Sequence, residues 1–249
     1  MTVRFSNGTG LPLIPDNDPN ASPRGMAIRF HLADHVHTDI LGHSVDGFPA
    51  RTAEEFVEFL EALRASGPDV PHPTPIERFL ATHPAALEFV QTPKPLPASF
   101  FEESFYSVSA HRFTNMDGIS RFGRYRVLPE REGGRLDAGQ AAQQTPNFLF
   151  DEVRDRLGKG ASRMRIMVQI AAEGDPVDDA TAHWPPDRQQ IEFGVVELTS
   201  LLPNNDAEQR HIIFDPIARV DGIDPSGDPL LEPRAAVYLA SGRRRRKQE

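Results

Sequence analysis

Apolar and polar residues alternate most regularly from Met26 to Leu32. Met26, Ile28, Phe30 and Leu32 fall on one face, and Ala27, Arg29 and His31 on the other. A period of two predicts a half-buried β-strand. Arg163–Ala171 repeats the pattern, with Met164, Ile166, Val168 and Ile170 opposite Arg163, Arg165 and Gln169. Val3-Arg4-Phe5-Ser6 reads as the interior of a strand, and Arg121–Val127, Ile191–Leu198 and His211–Phe214 complete the strand set. The period changes over Thr52–Ala65, where Phe56, Phe59, Leu60 and Leu63 make one helical stripe and Thr52 and Glu55 have capping-box spacing. Thr74-Pro75, with Glu77 in the first turn, opens a second helix, and Pro84 restarts a short third one. Pro146–Leu157 reads as a helix stopped by Gly158 and Gly160, and Leu230–Lys247 as a last helix in spite of Pro233. Asn7–Arg24, with four prolines, is turn-rich, and Thr92–Pro97 reads as a linker. Strands spaced by loops, with helices grouped before and after them, predict an α+β fold around an antiparallel sheet or β-barrel with flanking helices. The 249 residues are read as a single domain, 1–249.

Composition narrows the class. A chain that is 39% hydrophobic and 25% charged folds around a core. No apolar run approaches the roughly 18 residues that cross a bilayer, so no membrane partner is expected. The absence of cysteine excludes disulfides, thiolate metal sites and a cysteine nucleophile within the chain. Net charge is −9, and Arg243–Lys247 is one basic run; without its five charges, 22 basic residues face 36 acidic ones. An acidic body argues against nucleic acid as a partner. The basic run reads as a solvated helix end.

Candidate chemistry is sparse. The chain has no phosphate-binding glycine loop, no Gly-x-Ser-x-Gly elbow and no His-Glu-x-x-His. His35-x-His37, near Asp34 and Asp39, reads as exposed histidines flanking a turn rather than a metal site. Glu102 and Glu103 read as a solvated pair. The last helix says more. At about 100° per residue, Arg234, Tyr238 and Arg245 project within about 40° of one another. A guanidinium beside a phenol favours the phenolate. Phenolate is a hard oxygen ligand that suits ferric iron, and Arg245 could reach an anionic group such as a carboxylate. A surface helix with a half-buried Tyr and scattered arginines is the competing reading.

Arg234-Ala-Ala-Val-Tyr238 resembles the Arg-x-x-x-Tyr haem-ligand signature of haem catalases. Phe214-Asp-Pro and Gly222-Ile-Asp-Pro precede it as in that family. Arg4-Phe5-Ser6, Pro23-Arg24-Gly25-Met26-Ala27 and His183-Trp184-Pro185 match further family elements in order. Gly47-Phe48-Pro49 with its following helix, and Arg121–Pro129, look like the small catalase-related peroxidases. The resemblance implies a catalase-like barrel core and a haem cofactor with Tyr238 as the metal ligand. It also implies Arg234 holding that ligand charged, Arg4 and Arg245 on haem propionates, and Phe48 and Phe56 as apolar contacts. The implied activity is haem-dependent peroxidase chemistry on organic peroxides or hydrogen peroxide with a separate electron donor, in a possible homo-oligomer.

Two departures follow from the same comparison. The family's distal His lies upstream of the Arg-Phe-Ser element, which here begins three residues after the first, so the expectation is a missing N-terminal segment, the alternative being a degenerate relative. Any leader, and hence a cytoplasmic or periplasmic address, would lie there. The family's distal Asn is also absent from Gly42-His43-Ser44-Val45-Asp46, which leaves His43 as the fallback distal candidate beside Ser44 and Asp46. The alternatives are a non-catalytic haem or apolar-ligand barrel, and a haem-dependent hydroperoxide isomerase.

Overall fold

In the computed structural model the first three strands, β1 (Thr2–Asn7), β2 (Arg24–Ala33) and β3 (Val36–His43), pair antiparallel in chain order. Residues 1–8, 11, 13–131 and 133–247 are described; 9, 10, 12, 132, 248 and 249, and with them Pro12 of the turn-rich stretch and the end of the expected domain, lie outside the described residues. The pairs Phe5↔Met26 and Ile28↔Ile40 define one face, which enters the main core with Phe100, Phe105, Tyr125, Met164 and Val168. The pairs Arg4↔Ala27 and Ala27↔Leu41 define the other. That face is covered too, because Ala27 and Leu41 pack against Phe214, Ile212 and Tyr238. The half-buried strand expected at Met26–Leu32 is therefore buried on both sides as far as Arg29, and Leu32 is exposed. Chain from the C-terminal third supplies a second cover that local alternation cannot encode.

Three helices follow: α1 (Ala53–Arg64), α2 (Pro75–Thr82) and α3 (Pro84–Gln91). Thr52 caps α1 by accepting from the Glu55 N–H at 3.2 Å, but the Glu55 carboxylate accepts from Arg51 N at 2.7 Å, so the expected box is displaced by one residue. The reciprocal box forms at Thr74–Glu77 instead, at 2.6 and 3.4 Å. On α1 only Phe59 is fully buried, whereas Leu60 and Leu63 are 45% and 51% exposed. The stripe is wider than the surface that covers it.

The remaining strands are β4 (Leu96–Pro97), β5 (Phe105–Tyr106), β6 (His111–Thr114), β7 (Ser120–Pro129), β8 (Arg135–Leu136), β9 (Ser162–Ile170), β10 (Gln190–Leu198) and β11 (Ile223–Pro225). The later helices are α4 (Ala138–Ala142), α5 (Phe148–Lys159), α6 (Asn205–His211) and α7 (Leu231–Arg246). The large sheet runs β1-β2-β3-β5-β7-β6-β11, with β9 on β7 and β10 on β9, all antiparallel. Among the described residues β10 does not return to β1, so the expected barrel is seen here as an open antiparallel sheet with helices. The β4–β8 pair shows that the Thr92–Pro97 linker ends in a strand.

Other expectations shift. The helix expected from Pro146 starts at Phe148 and runs through Gly158 to Lys159. His211 ends α6, and Ile212–Phe214 is not a strand. Its carbonyls serve side chains rather than a ladder: Ile212 O accepts from Arg245 at 2.9 Å and Ile213 O accepts from Arg29. Glu102 and Glu103 are not a solvated pair. Arg135 forks onto the buried Glu103 carboxylate at 2.8 and 2.8 Å, and Arg156 takes Glu102 at 3.0 Å. The turn-rich stretch is pinned by Arg24, which donates to the Asn7 side chain and, at 2.6 Å, to the Asp16 carbonyl.

Candidate functional site

Register fixes which side chains of the first three strands share the covered face. They are Arg4 and Ser6 on β1, Gly25, Ala27 and Arg29 on β2, and Asp39, Leu41 and His43 on β3. At the Ser6–Gly25–His43 row a Cβ on Gly25 would stand 2.5 Å from Ser6 Oγ, so a larger residue there would have to displace that side chain. The cover is the 212–215 segment and α7. Arg29 and Asp39 latch that segment down, since Arg29 donates to Ile213 O and Asp39 Oδ2 accepts from Asp215 N at 2.8 Å.

α7 forms despite Pro233 because that residue lies in the first turn, where backbone N–H groups lack intrahelical partners. Close docking needs Gly242: a Cβ there would meet Ile213 Cγ1 at 2.4 Å. Tyr238 packs into the Ala27–Leu41–Phe214 cluster. Arg245 donates to Ile212 O at 2.9 Å and to Ser241 Oγ at 2.9 Å. Arg4 and Arg245 line one open cleft of about 400 Å³ with Asp206, Gln209 and Arg210, so three guanidiniums face one carboxylate. Arg4 lies 4.5 Å from the Phe214 ring centroid. Burial lowers its pKa, with negative charge at Tyr238 pulling the other way.

The far end of the face carries His43. Its Nδ1 accepts from Val45 N at 3.4 Å, while its Nε2 is sealed from solvent and lacks a partner among the described residues. Burial, then the charge of Arg234, pushes its pKa down to about 3. Ser44 and Asp46, the other candidates in this stretch, are engaged: Ser44 Oγ accepts from Arg24 N at 2.9 Å, and Asp46 pairs with Arg126 at 2.7 Å. Phe48 stands beside His43 with ring centroids 6.3 Å apart, and Phe56 lies 4.9 Å beyond Phe48. The structure thus groups Arg4, Tyr238 and Arg245 at one end and Arg234, His43 and Phe48 at the other. His35 and His37 are exposed around the β2–β3 turn.

Two residues of this region escaped sequence reasoning. His111, buried on β6, donates to the Pro216 carbonyl, and its Nδ1 lacks a partner among the described residues. Burial, and secondarily Arg234, lowers its pKa to about 4. Asp228 accepts from Leu230 N at 2.9 Å through Oδ1, and its buried Oδ2 lacks a partner among the described residues. A lone strand His carries no local signal, and Asp228 reads in sequence as an ordinary cap before a helix.

These features fit a flat, iron-bearing, dicarboxylate group held between β1–β3 and α7. The floor is small-residue, one wall offers a phenol oxygen, a cationic cleft opens at the edge, and buried Arg4 Nε and His43 Nε2 lack partners among the described residues. The profile of the family described as catalase matches residues 1–248. A catalase-related peroxidase of Mycolicibacterium paratuberculosis is 35% identical over 96% of this chain and 75% of its own. One from Synechococcus elongatus is 29% identical over 97% and 71%. A fungal catalase structure superposes with a TM-score of 0.83 at 22% identity, covering 98% of this chain and 51% of that one. Catalase A of Saccharomyces cerevisiae gives 0.83 at 20%, covering 98% and 53%. The chain spans about half the length of these solved structures.

The family match and the relatives named catalase-related peroxidase define the class, a cofactor-dependent oxidoreductase. The chain belongs to the catalase family, whose members are haem enzymes acting on peroxide. Among the described residues no helix is long and apolar enough to cross a membrane.

Proposed function

We propose that the chain, as one domain over 1–249, is a catalase-related haem peroxidase that reduces organic peroxides, hydrogen peroxide or both, using electrons from a separate donor. The observation that carries this reading is Tyr238 on α7, packed into the Ala27–Leu41–Phe214 cluster on the covered face of β1–β3, with Arg4 of that same face over the Phe214 ring. Haem, when bound, supplies the redox-active iron. Tyr238 would hold its iron through the phenolate oxygen, and Arg234 would favour that charge from one turn away. Arg4 and Arg245, at the cationic cleft, would hold the propionates by charge-assisted hydrogen bonds. Phe48 and Phe56 would give apolar contact. Two further parts of the reading are a barrel closed between β1 and β10, testable by hydrogen exchange at those edges, and a homo-oligomer, testable by sedimentation.

The test is titration of the purified chain with haemin, then product analysis with an alkyl hydroperoxide. A saturable ferric Soret band and formation of the alcohol are expected. A chain that never takes up haem, or that isomerises the hydroperoxide instead of reducing it, overturns the reading.

A further inference from the structure

The end of the molecule where α6 packs on α7 gathers basic side chains from three elements. Arg4 comes from β1, Arg210 from α6 and Arg245 from α7, and they line the cleft of about 400 Å³ with Asp206 and Gln209. Arg243, Arg244, Arg246 and the capping Lys247 flank Arg245 on α7. Among the described residues no carboxylate pairs with any of these seven. Exposed arginines of the sheet do find carboxylates, as Arg112 finds Asp224, Arg163 finds Glu197 and Arg165 finds Glu192. The negative end of the α7 dipole accounts for the run on that helix by itself. It does not account for Arg4 arriving from β1 or Arg210 from α6.

The three cleft guanidiniums differ in what they are free to do. Arg245 donates to Ile212 O and to Ser241 Oγ, at 2.9 Å each. Arg4 lies over Phe214 with its Nε sealed and unpartnered among the described residues. Burial lowers its pKa, and the Arg245 charge lowers it further. Arg210 is exposed and makes no hydrogen bond or ion pair among the described residues. The carboxylate of the cleft, Asp206, is held by Gln209 Nε2 at 3.3 Å and Asn205 Nδ2 at 3.5 Å rather than by a guanidinium. In a chain of net charge −9, uncompensated cations at one end make a local positive potential. Such a potential concentrates small anions and is screened by salt.

Resting on the haem reading above, we propose that this cleft receives the electron donor, that the donor is a small organic anion, and that Arg210 is the residue that selects it. A cleft of this size suits a small molecule. Under that reading two carboxylates occupy Arg4 and Arg245, and Arg210 with the basic run of α7 stays available. Unlike the peroxide, a donor need not reach the iron; approach to the edge of the group suffices, and the carboxylate edge is the one held here. The balance is that of peroxide reduction. Two donor anions each lose one electron, and the hydroperoxide takes both, with two protons from solvent. Its O–O bond breaks, the alkyl-bearing oxygen leaving as alcohol and the other as water.

Three ferrocenes serve as probes: the carboxylate, the neutral methanol and the trimethylammonium derivative, one-electron donors that differ in charge. Haemin-loaded wild type, Arg210→Glu and the control Arg64→Glu, an exposed position at the end of α1, reduce an alkyl hydroperoxide with each. Arg210→Glu is expected to lower kcat/KM for the carboxylate about fivefold at low ionic strength, the upper size of an exposed charge contact. The loss should fall mainly on KM and fade at about 0.5 M salt. Ferrocenemethanol should be unaffected and the trimethylammonium donor favoured. In the haem-free chain, NMR signals of the Arg210 and Arg245 Nε–H groups should move saturably with ferrocene carboxylate and not with ferrocenemethanol. Equal losses with all three donors, an equal loss in Arg64→Glu, or unmoved arginine signals overturn the proposal. So does haemin affinity that falls in Arg210→Glu as far as the donor rate, which would make Arg210 a propionate contact. Failure of the wild type to load haem sinks the haem reading and the donor role together; normal loading with donor rates blind to charge sinks this proposal alone.

Discussion

Arg29 forks onto Asp39 across the β2–β3 pair, Nε to Oδ1 at 2.9 Å and a terminal nitrogen to Oδ2 at 2.7 Å, with both side chains nearly sealed from water. The same two groups bind the 213–215 backbone, so one ion pair joins the floor of the site to its cover. A buried pair of this kind contributes little against an apolar substitute, but breaking it leaves a buried charge exposed to no partner.

Asp39→Asn is therefore expected to cost about 3–5 kcal/mol, the range for breaking a buried pair from one side. Arg29→Met with Asp39→Leu should cost less than the single change. Urea unfolding followed by circular dichroism reads both, and an Asp39→Asn midpoint equal to wild type would show that the latch carries no load. The same variant should bind haemin more weakly, since Tyr238 is placed through the cover that Asp39 holds.

Tyr238→Phe keeps the ring and removes the oxygen. Helix propensity barely changes, so the fold should persist. Haemin affinity should fall and the ferric spectrum should change; an unaltered spectrum would mean that another residue binds the iron.

The two buried imidazoles make stability fall in acid. His43 and His111 have folded-state values of about 3 and about 4, below the ordinary imidazole value near 6.5. As pH drops through about 6.5 the unfolded chain takes up protons that the native chain refuses. Their neutral forms are therefore no burden above that pH, and stability is lost from about 6.5 down to about 4 for His111 and about 3 for His43, on the order of 3 kcal/mol per imidazole by pH 4. Urea midpoints of the haem-free chain at pH 7.5 and 4.5 measure the drop. His43→Asn with His111→Asn should flatten it, and an equal drop in that variant would assign the acid sensitivity elsewhere.

Arg234→Leu removes the charge that helps to keep both imidazoles neutral. Their pKa values should rise while staying below the ordinary value, because burial remains the larger cause. NMR titration of the two rings tests this, and unmoved values would place Arg234 too far away to act. In the haem-loaded protein the change should also weaken the proposed Tyr238–iron bond most at low pH, visible as a pH-dependent Soret shift.

What the sequence by itself determined is what neighbouring residues decide together. The period of two marks β2 and β9, helical spacing marks α1 and α7, and the angular offsets of Arg234, Tyr238 and Arg245 put them on one face of α7 before any contact is known. The ordered motifs carried the family and the haem for the same reason: they are local strings. Only the tertiary structure decided which sheet face that helix covers. The contact from Arg29 to Ile213 spans 184 residues, and it turns an expected strand at His211–Phe214 into a latched cover. Likewise, nothing local separates His43 from Ser44 and Asp46; the Arg24 backbone N–H on β2 and the Arg126 guanidinium on β7 engage the latter two, and one imidazole nitrogen is left sealed and unpartnered among the described residues. Burial and hydrogen-bond satisfaction are sums over distant chain, so a site built from them becomes legible only once the chain has folded.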